Sequence, residues 1–251
     1  MTQSAGRRFA YTIALLTAFA AFAAAADWAQ AQIAQPAKQI PPARQIAPPV
    51  RQAAPAAAGV ATPAPAEPVV AEITGFRSAR FGMNEMQVRS AIAKDFNLQG
   101  DAVQAQENKA EQTHVLIVRA GDVLPGGGTA SISYVFGFKS KTLIQVGLSW
   151  SKATDDAMTP EQLFSNANVL QSHFISAGYK PDTVATNMPI NGGILMFRGS
   201  DAQQHTAMLI LQGTFTEGEN NQRQMTPTAL LLFYIADAKS PDVFRLPQGS
   251  F

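Results

Sequence analysis

The feature that most constrains the fold is a helix start that occurs twice, in residues 81–88 and in residues 157–163. In each copy a Met precedes a good N-cap residue, a Gln follows at the third helical position, and an apolar residue follows at the fourth. The caps are Asn84 and Thr159, the glutamines are Gln87 and Gln162, and the apolar residues are Val88 and Leu163. Each copy therefore predicts a capping box with a hydrophobic staple, and the 75-residue spacing of the two caps indicates an internal duplication.

Each helix start is followed by a helix and by three strand signals. The first helix, residues 85–96, has apolar side chains at i, i+4 and i+8, and the second begins after Thr159 and ends before Gly178. The predicted strands are residues 114–119, 130–138 and 142–150 in the first half, and 194–198, 205–215 and 228–237 in the second. Residues 97–113 are polar and predict a loop with a short helix, and the short connection 139–141 predicts an antiparallel hairpin.

The fold class that follows is α+β, with two tandem α-β-β-β units, residues 71–155 and 156–251. A single unit would leave one sheet face and the sheet edges uncovered, whereas two joined units form one antiparallel sheet with both helices packed on one face. Residues 229–236 are apolar on both faces, which predicts a central strand. The tail, residues 239–251, contains two prolines and predicts an irregular strap.

The N-terminus has the pattern of a secretory signal peptide over residues 1–31. Arg7 and Arg8 precede the uncharged stretch 9–26, and small residues provide a cleavage site that we expect after Ala31. Cleavage would leave no stable membrane span and a periplasmic protein. The alternative is an uncleaved segment that anchors the chain in the inner membrane.

Residues 32–70 form a tether rich in Pro and Ala. Most of the 16 prolines of the chain lie there, and the segment has no aromatic residue, so it cannot bury enough apolar surface to fold. The chain has no Cys, which excludes both a lipidated Cys and a disulfide. A leader that serves only as a solvated spacer is the alternative to a functional tether.

The charge balance excludes nucleic acid as a partner. Removal of residues 1–31 takes away two Arg and one Asp, which leaves 17 basic and 17 acidic side chains. A nucleic-acid-binding protein would need a basic surplus or a basic stripe, and the mature sequence has neither.

Residues with catalytic or ligand-binding potential are scattered. His114, His173 and His205 have no metal-ligand spacing, so we predict no metal, cofactor or catalytic residue. Arg119 and Arg198 are the one duplicated charged position, since each is followed by two small residues and an Asp. They are the candidate binding residues, and the alternative is a solvated Arg–Asp pair at each strand end.

Residues 76–88 also resemble the G-M-[TS]-x-x-[QE]-V helix starts of small bacterial envelope proteins. These include the SmpA/OmlA-type outer-membrane assembly lipoproteins and the β-lactamase-inhibitor-protein-like domains, which are tandem duplications of a helix-plus-sheet unit. The duplication makes this chain more similar to the second group, although it lacks the lipoprotein Cys of one group and the paired Cys of the other. The resemblance implies a non-enzymatic protein that binds another protein through a sheet face.

The sequence therefore predicts an exported, non-catalytic protein that binds a periplasmic or outer-membrane protein. The alternative is a hydrolase of envelope polymers whose site is assembled from His114, His205, Asp122 and Asp201. A pocket that gathers both histidines and an Asp would favour the hydrolase, and a broad sheet face would favour the binding protein.

Overall fold

The computed structural model describes residues 70–121, 123–217 and 223–246, together with Gly249. The predicted signal peptide, and the tether as far as residue 69, lie outside the described residues. Asp122, one member of the alternative hydrolase site, also lies outside them.

The first helix, α1 (Glu85–Phe96), begins with the predicted capping box. The Asn84 side-chain oxygen accepts a hydrogen bond from the Gln87 backbone N–H at 3.0 Å, and the Asn84 N–H donates to the Gln87 side chain at 2.9 Å. The helix ends at Asn97, which adopts a left-handed conformation with φ 55°. Its buried residues are Val88, Ala91 and Ile92.

The second helix, α2 (Pro160–Ile175), forms only half of the predicted box. The Thr159 hydroxyl accepts the backbone N–H of Gln162 at 3.2 Å. The Gln162 side-chain amide is used elsewhere, because it donates to the Gly126 carbonyl at 3.2 Å and to the Asn166 side chain at 2.9 Å. The predicted second capping box is therefore incomplete, and Gln162 instead ties the helix to a loop between two strands.

Ten strands and two short 3-10 turns, Gly100–Ala102 and Pro181–Thr183, account for the remaining regular structure of the described residues. The strands are β1 (Gly75–Phe76), β2 (Ala79–Arg80), β3 (Gln104–Asn108), β4 (Thr113–Ala120), β5 (Ala130–Phe136), β6 (Leu143–Ser151), β7 (Ala185–Ile190), β8 (Gly193–Ser200), β9 (Thr206–Glu217) and β10 (Arg223–Ile235). β1 and β2 form a small ribbon, and the other eight form one antiparallel sheet in the order β3-β4-β5-β6-β10-β9-β8-β7.

The sheet order shows how the two units are related. Outward from the central β6–β10 pair, where Leu148 lies opposite Leu232, the order is β5-β4-β3 on one side and β9-β8-β7 on the other. Because the equivalent strands β6 and β10 are antiparallel neighbours, a pseudo-twofold relates the units rather than a simple translation. The prediction of an α+β fold with an antiparallel sheet and a central final strand is confirmed.

Each unit contributes four strands to the eight-stranded sheet, one more than the three we predicted. β3 lies in the polar segment 97–113, which we expected to be a loop with a short helix. That segment does contain the short 3-10 turn Gly100–Ala102, whereas β7 was not predicted at all. Both are edge strands, where polar side chains face solvent and no second neighbour requires an apolar residue. β7 also contains Pro189 and the left-handed Asn187, which are devices that keep an exposed edge from pairing with another chain.

Both helices pack on the same face of the sheet. Their buried residues belong to one hydrophobic cluster with alternate residues of the strands, and the N-terminal arm, residues 71–80, joins the same cluster. Large and fully buried members include Leu116, Ile132, Leu148, Trp150, Leu209, Leu211 and Leu230. The predicted layer arrangement, with the helices on one face, is therefore confirmed.

The tail is irregular as far as residue 246, where the continuous description ends. The Phe138 N–H donates to the Asp242 carbonyl at 2.8 Å, and the Phe244 N–H donates to the Glu111 carbonyl at 2.8 Å. The tail thus crosses the end of β5 and reaches the turn between β3 and β4.

Candidate binding surfaces

The sheet face opposite α1 and α2, here called the far face, has an apolar centre. Its buried apolar side chains alternate with those of the helix-side core along β8, β9 and β10, and they are not part of the cluster that contains the helices. They are Leu195, Met208, Ile210, Leu231, Phe233 and Ile235. The far face therefore carries a second apolar layer that the helices do not cover.

Arg119 and Arg198 both lie on the far face and both are exposed. Arg119 stands between Val118 and Ala120, which point into the helix-side core, and Arg198 lies opposite Met208. Five strand-to-strand steps of about 4.8 Å separate β4 from β8, so the two backbones are about 24 Å apart. Among the described residues neither arginine forms an ion pair.

Asp201 does not form the solvated pair with Arg198 that we considered. It is 1% exposed, and its carboxylate accepts the backbone N–H of Ile73 at 2.8 Å and the backbone N–H of His205 at 2.9 Å. The His205 Nδ1 lies 3.3 Å from the same carboxylate. Asp201 therefore fastens the N-terminal arm to the loop after β8.

His114 has a similar local role in the first unit. Its Nδ1 lies 2.8 Å from a Glu107 carboxylate oxygen, and its Nε2 lies 3.3 Å from a Glu85 carboxylate oxygen. These contacts connect the edge strand β3 with the first turn of α1.

The structure does not bring His114 and His205 together. His114 lies at the start of β4 and His205 directly precedes β9, and the four strand steps between β4 and β9 correspond to about 19 Å. His173 is exposed near the end of α2. Within the part of the chain that the structure describes, no group of three or more His, Cys, Asp or Glu residues is arranged to hold a metal ion.

The carboxylate of Asp155, between β6 and α2, accepts two backbone hydrogen bonds. The Thr129 backbone N–H donates to its carboxylate at 2.9 Å, and the Ala157 N–H donates at 3.1 Å. These backbone donors, Thr129 first, hold the pKa of Asp155 below its usual range. Asp155, which lies shortly before α2, therefore anchors the start of β5.

The sequence did not predict a cavity of about 270 Å³ that lies on the helix side of the sheet. The N-terminal arm forms one wall, the end of α2 and residues 177–179 form another, and Tyr234 of β10 lies in the lining. We call it the aromatic groove, after its lining residues Phe76, Phe174, Tyr179 and Tyr234. Glu72, Arg77, Arg80 and His173 also line it, and all four are exposed.

The rings of the aromatic groove support one another. Tyr234 stacks on Phe76 with centroids 5.9 Å apart and meets Phe174 edge-on at 6.3 Å. Tyr179 packs against Phe174 at 6.2 Å. A Cβ built on Gly199 would lie 2.9 Å from Tyr179 Cγ, so a glycine at this position leaves room for that ring.

The arm is held by hydrogen bonds along its length. The Ala71 N–H donates to the Gly178 carbonyl at 3.0 Å, the Ile73 N–H donates to Asp201, and the Ser78 N–H donates to Asp95 at 2.8 Å. These contacts come from residues far apart in the sequence, which is why no local pattern predicted the groove.

The chain matches no protein-family model, and neither the curated proteins nor the solved structures contain a match. Among the helices formed by described residues, none combines the length and the apolar character needed to cross a membrane.

Proposed function

We propose that this chain is an exported, non-catalytic protein that binds an acidic partner protein on its far face. The observation that carries the proposal is the placement of Arg119 and Arg198, two exposed cations at equivalent positions of one sheet face. The apolar side chains between them, such as Ile210 and Leu231, are buried at 4% exposure, so the two exposed arginines, and not an accessible apolar patch, carry the proposal.

The spacing of the two arginines favours a macromolecule over a small ligand. A standard protein interface buries about 800 Å² on each partner, a patch roughly 30 Å across. The separation of about 24 Å between the two strand positions fits within such a patch. A metabolite could contact only one of the two side chains.

The charges of the far face favour an acidic partner. In the described strands, the carboxylates of Glu107 and Glu217 alternate onto the other face, so the far face carries arginines without a carboxylate. Among the described strand residues of that face, carboxylates of a partner would therefore meet arginines and no carboxylate. Such complementarity raises the association rate and makes it sensitive to salt.

The sequence features outside the described residues support an envelope location. A cleaved signal peptide over residues 1–31 would deliver the chain to the periplasm, where a periplasmic or outer-membrane protein is the expected partner. An extended tether of residues 32–70 would span about 120 Å at about 3.1 Å per residue. The resemblance to β-lactamase-inhibitor-protein-like domains supports the same choice of a sheet face.

The test compares two double variants of the mature chain. Arg119→Glu/Arg198→Glu reverses both charges of the far face, and Lys94→Glu/Lys180→Glu makes the same charge change at exposed residues outside the strands. Both are used to capture proteins from an envelope extract, and each captured acidic protein is then purified and titrated.

We expect the wild type and the lysine variant to bind one acidic partner, and the arginine variant to lose at least about tenfold in affinity. The wild-type affinity should also fall as salt rises. Equal binding by the two variants, or binding that ignores salt, would contradict the proposal.

A further inference from the structure

We infer that the aromatic groove binds the carboxyl end of a peptide whose last residue is aromatic. The groove lies on the helix side of the sheet, opposite the far face, so the inference is independent of the function proposed above. Its support comes from the size, the walls, the polar groups and the charge of the groove.

The size of the groove fits one residue. Its volume of about 270 Å³ lies just below the roughly 300–1,000 Å³ of sites that hold whole small molecules. Exposed residues line its mouth, so a longer chain can continue out of the groove into solvent. An open groove of this size suits the end of a chain better than an enclosed cofactor.

The walls suit an aromatic side chain. Phe76 and Phe174 contact Tyr234 from different directions, one stacked at an interplanar angle of 21° and the other edge-on at 66°. Phe174 is buried, whereas Phe76 and Tyr234 are only half-buried, so a ligand ring would meet these two rings in the stacked or edge-on arrangements that aromatic pairs prefer. Hydrogen bonds from the arm to Gly178, Asp201 and Asp95 keep the wall in place before a ligand arrives.

The polar groups suit a carboxylate. Within the described part of the chain, neither the Tyr234 hydroxyl nor the Tyr179 hydroxyl has a hydrogen-bond partner. Burial raises the pKa of Tyr234 to about 12, and burial, the Tyr234 hydroxyl and Asp201 raise the pKa of Tyr179. Both phenols therefore keep their protons at neutral pH and can donate to an anion.

The charge at the mouth of the groove supports the same ligand. Arg77 and Arg80 line it against the single carboxylate of Glu72. Arg77 lies over the Phe96 ring at 4.6 Å, and one nitrogen of Arg80 donates to the Arg77 carbonyl. The remaining N–H groups of Arg80 can pair with the carboxylate of a peptide.

The test measures binding of short fluorescein-labelled peptides to the mature chain by fluorescence anisotropy. The probes are Ala-Ala-Ala-Phe with a free carboxyl end, the same peptide with a terminal amide, and Ala-Ala-Ala-Ala with a free carboxyl end. We expect the Phe acid to bind at least about tenfold more tightly than either of the others, since only it has both the ring and the anion.

Two matched tyrosine variants locate the site. Tyr234→Phe removes a hydroxyl in the groove while it keeps the ring, and should weaken binding of the Phe acid by about tenfold. Tyr134→Phe removes a hydroxyl that is also without a hydrogen-bond partner, in the same row of the sheet but outside the groove lining, and should leave binding unchanged. Arg80→Gln, at an exposed position, should weaken binding of the acid and spare the amide.

Several results would overturn the inference. They are equal binding of the acid and the amide, no binding of any peptide, an equal loss in the two tyrosine variants, and an unchanged affinity in Arg80→Gln. Loss of peptide binding in the Arg119→Glu/Arg198→Glu variant would also overturn it, because the peptide would then occupy the far face.

Discussion

Replacement of Asp201 by Ala tests whether one buried carboxylate holds the N-terminal arm. The substitution leaves the backbone N–H groups of Ile73 and His205 without their acceptor. Each orphaned donor costs about 1–3 kcal/mol, which places the total at about 2–6 kcal/mol. Removal of the carboxylate also removes the cost of its burial, so we expect about 3 kcal/mol of lost stability.

Trp150 provides the signal for this measurement. It is 1% exposed, and the other Trp, Trp28, lies in the predicted signal peptide, so the mature chain carries one tryptophan. In a urea titration with a slope of about 2 kcal/mol per molar, a loss of about 3 kcal/mol lowers the midpoint by about 1.5 M. Asp201→Asn keeps one acceptor oxygen and should fall between the wild type and Asp201→Ala.

Asp182→Ala is the matched control, because Asp182 is exposed in a short 3-10 turn and its loss should change stability by no more than about 0.5 kcal/mol. If Asp201→Ala and Asp182→Ala shifted the midpoint equally, the two hydrogen bonds would not hold the arm. The account of a preformed groove wall would then be refuted as well.

Three further predictions concern the core, the response to acid, and the tether. Ile92→Ala and Phe174→Ala, at 0% and 2% exposure in equivalent helices, should each cost about 2–5 kcal/mol in reversible urea unfolding, and a neutral Ile92→Ala would contradict the duplicated core. The folded-state pKa of Asp155 is lowered, so its stabilisation is complete above the unfolded value of about 3.9 and is lost as pH falls through the folded value. Asp155→Asn should therefore lose less stability than the wild type below about pH 4 in thermal unfolding at stepped pH, and parallel profiles would refute this role. Limited proteolysis should cut first within residues 33–70 and leave a stable fragment that begins near residue 71, whereas a protected tether would show that it docks on the domain or on a partner.

Much of the fold was predictable from the sequence because it depends on local patterns. The capping box at Asn84 and Gln87 involves residues three positions apart, and its geometry follows from the side chains alone. Residues 144–150 alternate apolar side chains with polar residues or Gly, and the repetition of the helix start indicated two equivalent units. The helical spacing of apolar residues indicated which face of each helix is buried.

The edge strands and the role of Gln162 depended on tertiary contacts. β3 and β7 are extended because a neighbouring strand pairs with their backbone on one side, and this pairing leaves little trace in side-chain polarity. Gln162 has the identity of a capping-box residue, but the nearby Gly126 carbonyl and the Asn166 side chain accept its amide donors.

The candidate sites also combine features that the sequence predicted with features that depend on tertiary contacts. Arg119 and Arg198 were found from the sequence because duplication repeats them at equivalent positions, but their shared face followed only from the strand register. Asp201 holds Ile73 across 128 residues of sequence, and the aromatic groove forms where such distant segments meet. The sequence by itself determined the elements whose hydrogen bonds and periodicity are local. Tertiary structure alone decided which polar groups became anchors and where a cavity remained, because both depend on contacts between segments that share no local pattern.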